Sequence, residues 1–160
     1  MAEQYIYPAP GTSNVEATLK LEIVSDSTND ELDVPSLQDI TLNAANDVFT
    51  WTQLDAAAKR QIATTATNSL SMNLVLNQTS FFGDATAAAG TASVKGIFGM
   101  STAKDLVEFT LFMGKTSNGD AGKTVTGTGY ITGLAPTVSA DAPVWVSPIT
   151  ITVDSDYTIS

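Results

Sequence analysis

Hydrophobic and polar residues alternate with a period of two along much of the chain. In VEATLKLEIV (15–24), Ala17, Leu19, Leu21 and Ile23 share one side, and Glu16, Thr18, Lys20 and Glu22 the other. That pattern predicts a strand buried on one face. LQDITL (37–42) predicts a short strand, and SLSMNLVLN (69–77) another with Leu70, Met72, Leu74 and Leu76 inward. In LVEFTLFM (106–113) the inward set is Val107, Phe109, Leu111 and Met113, while Leu106 and Phe112 point the other way, so both faces are expected to be partly covered. SPITITVDSDYTI (147–159) closes the chain with Ile149, Ile151 and Val153 inward and Pro148 expected at its start or on an edge.

A different strand precedes it. In TVTGTGYITGLAPTV (124–138), Gly127 and Gly129 share a face with Val125 and Ile131, and Thr126, Thr128, Tyr130 and Thr132 line the opposite one. Glycine inside a strand marks a bulge, a bend or a close backbone approach. Whether the approaching backbone belongs to the same sheet or to another chain is open at this point.

Period two breaks in two places. WTQLDAAAKRQIATTA (51–66) carries a helical stripe of Leu54, Ala57, Ala58, Gln61 and Ile62, with Thr52 and Asp55 spaced as a capping box, and predicts a helix. SVKGIFGMSTAKD (93–105) predicts a short helix burying Val94, Ile97 and Phe98, which Gly96 and Gly99 each weaken by roughly 1 kcal/mol relative to Ala. The remainder reads as connection: an extended arm over 1–14, an acidic loop over 25–36, a small-residue loop over 84–92, a long turn over 114–123 and a turn at DAPVW (141–145). The expected architecture is mainly β: an antiparallel β-sandwich or barrel of about six to eight strands with one or two flanking helices, forming one domain over 15–160 after the arm.

Composition narrows the function. The chain has 160 residues, 43% hydrophobic and 15% charged, so its surface is built largely from Ser, Thr, Asn and Gly. A surface so sparsely charged fits either coverage by neighbouring subunits or a Thr-rich virion or secreted domain. Net charge is −10, with Arg60 the only arginine, which excludes a grip on the phosphate backbone of nucleic acid. No stretch is apolar enough for a membrane span, and the first residues lack a secretory signal pattern.

Histidine and cysteine are both absent, which removes the commonest general base, the usual nucleophile pairs and the best zinc ligands. GDAGKT (119–124) echoes a phosphate loop, but Ser117 stands where its first glycine belongs and the segment joins two strands. STAK (101–104) matches a serine–lysine motif without its companions and reads as a helix end. The carboxylates of DSTNDELD (26–33) and DSD (154–156) follow no calcium-loop spacing. No enzyme, cofactor or metal is expected.

The order of elements in the C-terminal half then carries weight. A glycine-bearing helix leads into LVEFTLFMGK, a loop, the run Gly127, Gly129, Tyr130, Ile131, Thr132 and Leu134, a loop with Ser139 and Asp141, and a Thr-rich closing strand from Ile149 to Val153. This succession, over 93–160, resembles the tail tube (major tail) proteins of tailed bacteriophages. The N-terminal half agrees in pattern only, and the helix-like stretch 51–66 departs from the loop or strand such proteins would have there. The resemblance implies a structural virion protein without catalytic residues, made and assembled in the host cytoplasm. Its partners would be itself, in stacked homohexameric rings, and other tail proteins, with DNA only as passing cargo. Lumen-facing candidates are then Glu16, Glu22, Thr126, Thr128, Thr132, Thr150, Thr152 and Asp154. Subunit-contact candidates are Asp30, Glu31 and Asp33 in the acidic loop, Trp51 in the segment 43–66, and Gly127 and Gly129, which would let a neighbouring chain lie close. Two other readings stand beside it: a head decoration protein of the same β type, and a sugar- or surface-binding module using an aromatic platform drawn from Trp51, Tyr5, Tyr7, Tyr130, Trp145 and Tyr157.

Overall fold

The computed structural model describes residues 17–54, 58–65, 67–84, 86, 90–114 and 122–160. Its strands are β1 (Ala17–Ile23), β2 (Leu32–Val34), β3 (Leu37–Asn43), β4 (Asn46–Thr52), β5 (Lys59–Thr65), β6 (Ser69–Val75), β7 (Leu106–Met113), β8 (Lys123–Leu134), β9 (Thr137–Ser139) and β10 (Ala142–Ile159), with helices α1 (Gln78–Phe82) and α2 (Ala92–Ala103) between β6 and β7. Eight strands form one antiparallel sheet in the order β2-β1-β7-β8-β10-β6-β3, with β9 beside the start of β10. β4 and β5 pair only with each other.

The register puts the buried apolar positions of the long strands on one face. Leu19 stands opposite Leu111 and Leu111 opposite Val125. Ile151 lies between Ile131 and Leu70, and Leu70 faces Leu42. Residues from β1 and β2 near one edge join residues of β6 near the other in a single core cluster. A flat sheet could not bring them together. The twist of antiparallel strands curls the sheet into a half-barrel, and α1 and α2 cover its core face with Phe81, Ile97 and Met100. Each such fully buried side chain contributes roughly 1.5–3 kcal/mol by leaving water.

Several expectations change here. The described residues of 51–66 form strand, not helix: Trp51 and Thr52 end β4, and Lys59–Thr65 is β5, while Asp55 of the supposed capping box and Ala57 of the stripe lie outside the described residues. The helical stripe has no core to face, since Leu54 and Ile62 are both exposed, and Phe49, Trp51, Ile62 and Thr64 are residues that favour strands. The acidic loop 25–36 contains β2, whose Leu32 and Val34 are buried. Of DAPVW, Asp141 lies in a turn and the remainder opens β10, which spans 18 residues. Pro148 therefore sits mid-strand opposite Asn73, at the point where the other side of β10 passes from β9 (Val146–Thr137) to β8 (Ile149–Leu134). A missing N–H is tolerated at such a gap.

The helix after β6 also differs in detail. α2 buries Ala92, Gly96, Ile97 and Met100, whereas Val94 is half-buried and Phe98 exposed. Gly96 has φ 62°, which kinks the helix, and a Cβ there would lie 2.4 Å from the backbone N of Gly83. Glycine at this position is the condition for the close crossing of α1 and α2 rather than a weakness of the helix. The arm 1–14 and Glu16 lie outside the described residues.

Candidate assembly surfaces

The face of the half-barrel turned away from the core is a continuous polar surface. Thr18, Lys20 and Glu22 of β1 stand opposite Phe112, Thr110 and Glu108 of β7, which stand in turn opposite Thr124, Thr126 and Thr128 of β8. Thr152 and Thr150 of β10 face Tyr130 and Gly133 on one side and Ser69 and Ser71 on the other, and β3 extends the surface with Thr41 and Asn43. β-branched threonine suits a pleated strand, and its hydroxyl can bond within the sheet without attracting a binding partner.

Those hydroxyls are used locally. The Oγ1 atoms of Thr132 and Thr152 lie 2.8 Å apart, Thr128 Oγ1 donates to the carbonyl of Asp154 at 3.0 Å, and Thr158 Oγ1 donates to that of Thr126 at 3.4 Å. Of the lumen-facing candidates, Glu22, Thr126, Thr128, Thr132, Thr150, Thr152 and Asp154 thus share one face. Glu108 belongs with them and was not singled out in the sequence, although its outward position in β7 follows from the alternation. It stands opposite Glu22 and Thr128, and Thr128 stands opposite Asp154, so an acidic row crosses the sheet. Lys20, the cation of this face, is held by Glu31 at 2.6 Å, a hydrogen-bonded ion pair that raises the lysine pKa.

Gly127 and Gly129 lie on the core side, buried. A Cβ on Gly127 would meet the ring tip of Phe109 at 2.8 Å and Tyr157 Cβ at 3.0 Å. On Gly129 it would meet the carbonyl oxygen of Thr152 at 2.4 Å, a backbone atom that cannot swing away. The approaching backbone is β10 of the same chain. Next to it β10 bulges, advancing four residues (154 to 158) while β8 retreats two (128 to 126), with Ser155 at φ 72°.

The acidic segment is tied to its own chain. Asp30 accepts a 2.7 Å bond from the Ser93 backbone N–H at the start of α2. That bond, with further hydroxyl bonds from Ser93 and Thr91, holds its carboxyl below the usual carboxylate range. Asp26 is lowered similarly by the backbone N–H and the hydroxyl of Thr28. Glu31 is engaged by Lys20, and Asp33 is exposed on β2 opposite that lysine.

Among the described residues, two apolar surfaces are left exposed. The β4–β5 hairpin extends from the end of the β3–β6 pair, anchored by Ala45 N–H to Asn68 Oδ1 at 3.2 Å. On one side of it Phe49 pairs with Ile62 and Trp51 with Arg60, and the rings of Phe49 and Trp51 stack at 6.0 Å. Among the described residues none of the hairpin enters the core. At the other end of β6, Phe82 lies 5.9 Å from Phe98 and 6.5 Å from Trp145 between ring centroids. A cleft of about 480 Å³ opens there, lined by Val75, Leu76, Gln78, Phe82, Val144 and Trp145.

The remaining sequence motifs acquire no chemistry. STAK ends α2, where Ser101 donates to the Ile131 carbonyl and Lys104 is the left-handed cap. Lys123 and Thr124 of GDAGKT begin a strand, and the rest of that motif up to Ala121 lies outside the described residues. The aromatic residues proposed as a platform are dispersed: Tyr130 is on the polar face, Trp51 on the hairpin, Trp145 at the cleft and Tyr157 against the core, with Tyr5 and Tyr7 outside the described residues. Among the described residues no cluster of three or more carboxylates is placed to hold a metal, and no helix is long and apolar enough to cross a membrane.

A curled antiparallel sheet with two open edges, helices on its core side and a projecting hairpin is the fold of tail tube proteins. The chain superposes on a protein in the tail of an empty gene transfer agent particle with a TM-score of 0.59 at 11% identity, over 94% of this chain and 99% of that one. It superposes on the SPP1 tail tube protein with a TM-score of 0.61 at 12% identity, over 91% and 76%. A protein of the anti-feeding prophage tube-terminating cap matches at 0.56 and 14% identity, over 100% and 94%. No protein-family model and no curated protein matches the sequence. The likeness read from residues 93–160 therefore holds at the level of fold across the chain.

Proposed function

We propose that the protein is a structural subunit of a phage-type tail tube. It assembles as six-membered rings that stack around a channel for DNA, in a virion tail made in the host cytoplasm and joined to other tail proteins. The observation that carries this reading is the polar face: a sheet buried on one side, carpeted with Ser, Thr and acidic residues on the other, and open at β2 and β3. Joining the β3 edge of one copy to the β2 edge of the next satisfies both edges, which otherwise template aggregation. It also closes the half-barrels into a ring whose wall shows this face to the lumen. Glu22, Glu108 and Asp154 there have the sign of DNA phosphate, and hydroxyls already bonded within the sheet offer the backbone little to bind. DNA then passes without adhering. The C6 symmetry of the gene transfer agent tail supports the six-fold count.

The test is negative-stain electron microscopy of the concentrated protein. Six-fold rings or stacked tubes with an axial hole are expected. Three-fold assemblies would replace this reading with a head decoration protein.

A further inference from the structure

We propose that neighbouring copies in a ring join through a parallel pairing of β3 with β2, inside a sheet that is otherwise antiparallel, with Asp33 of one copy beside Thr41 of the next. The inference rests on the tube reading and adds to it the sense and register of the junction.

Sense follows from topology. Each neighbouring pair along the order β2-β1-β7-β8-β10-β6-β3 is antiparallel. Six reversals therefore separate the two edge strands, and β2 and β3 run in the same direction. Rotation about the ring axis preserves strand direction, so β3 of one copy meets β2 of the next in parallel. The competing association is an edge with itself. A two-fold β2–β2 pair centred on this three-residue strand sets Asp33 against Asp33, and like charges directly opposite are destabilising.

Register follows from the two faces and from a bulge. On β2, Leu32 and Val34 are buried on the core side, and Asp33 stands opposite Lys20 on the polar side. On β3, Ile40 and Leu42 stand opposite Met72 and Leu70 on the core side, and Thr41 and Asn43 opposite Ser71 and Ser69 on the polar side. The β3–β6 register shifts between Leu37 and Asp39, where the Asp39 carboxylate accepts from the backbone and side-chain N–H groups of Asn73. The regular part of this edge is therefore 40–43. One three-residue window within it keeps the faces matched: Ile40, Thr41 and Leu42 beside Leu32, Asp33 and Val34. It also offers the Thr41 hydroxyl as a donor to the Asp33 carboxylate.

β2 is held in place for this role from both sides of the sheet. Asp30, just before it, accepts the Ser93 N–H of α2 at 2.7 Å, and Glu31 pairs with Lys20 on the polar face at 2.6 Å.

The chain has no cysteine, so introduced pairs report alone. Facing residues in adjacent strands lie about 5 Å apart, within disulfide reach, whereas a pair two residues out of register lies about 8 Å apart, beyond it. Each double variant is assembled, oxidised mildly and run on a non-reducing denaturing gel, with folding checked by circular dichroism. Asp33→Cys with Thr41→Cys should give a reducible ladder ending at a closed hexamer. Val34→Cys with Leu42→Cys should do the same. Val34→Cys with Ile40→Cys, the pair that an antiparallel junction would bring together, should give no ladder. If the Val34 variants misfold, Leu32→Cys with Ile40→Cys replaces the parallel pair and Leu32→Cys with Leu42→Cys the antiparallel one. A ladder from the antiparallel pair alone would overturn the proposal. Normal rings without a ladder from any pair would overturn the junction and leave the six-fold ring standing. A ladder running past six with no closed species would uphold the junction and overturn the ring. Neither ladder nor ring would overturn both.

Discussion

The half-barrel and the hairpin are both antiparallel β-structure, yet they are stable for different reasons. In the half-barrel, Leu21, Phe109, Val107 and Ile151 are at most 2% exposed, and every strand except the short β9 gives one face to the same core. In the hairpin, Phe49 and Ile62 face each other across the strands and, among the described residues, reach no part of the core. The first region is specified by folding of the monomer; the second, on the proposed reading, is left for assembly. Stability and function are therefore expected to separate along this boundary.

That separation can be broken by a series of substitutions. Phe109→Ala should cost about 3–5 kcal/mol of unfolding free energy, read from urea denaturation. Gly129→Ala comes next, on the order of 1–3 kcal/mol, because a Cβ would strike the Thr152 carbonyl. Gly127→Ala should lower the melting temperature less, since the ring tip of Phe109 can shift.

Asp30→Asn should have a smaller, pH-dependent effect. The folded-state pKa of Asp30 is lowered, so its contribution is complete above the unfolded value of about 3.9 and disappears as pH falls through the folded value. The melting-temperature gap between Asp30→Asn and the parent should be open at pH 6 and narrow as pH falls below about 3.9. A gap that persists in acid would mean that the carboxylate charge is not what ties the loop to α2. Phe49→Ala should come last, within about 0.5 kcal/mol of the parent in denaturation while weakening assembly. If it destabilised the monomer as Phe109→Ala does, the comparison would fail.

The half-barrel was legible in the sequence because one buried face forces strict alternation. Leu19, Leu21 and Ile23, then Val107, Phe109 and Leu111, identify their strands and even their shared face. The hairpin was not legible for the converse reason. With no core to face, Leu54, Ala58, Gln61 and Ile62 are free of burial constraint, and their spacing imitated a helix by accident. β2 was hidden by length, three residues inside an acidic run. The polar face was read correctly as a set of alternating positions, but its continuity depends on register. Nothing in LVEFTLFM says that Glu108 will stand beside Glu22 and Thr128. The aromatic cleft was invisible too, because Phe82, Phe98 and Trp145 meet only when α1 crosses α2 at Gly96 and β10 begins earlier than the turn-like DAPVW suggests.

The most direct test is a cryo-electron microscopy reconstruction of the assembled protein at side-chain resolution. The account predicts six copies per ring, with Thr126, Thr128, Thr150, Thr152, Glu108 and Asp154 lining the axial channel and the two helices outside it. A ring whose channel is lined by α1 and α2, with the threonine face turned to solvent or to another protein, would contradict it.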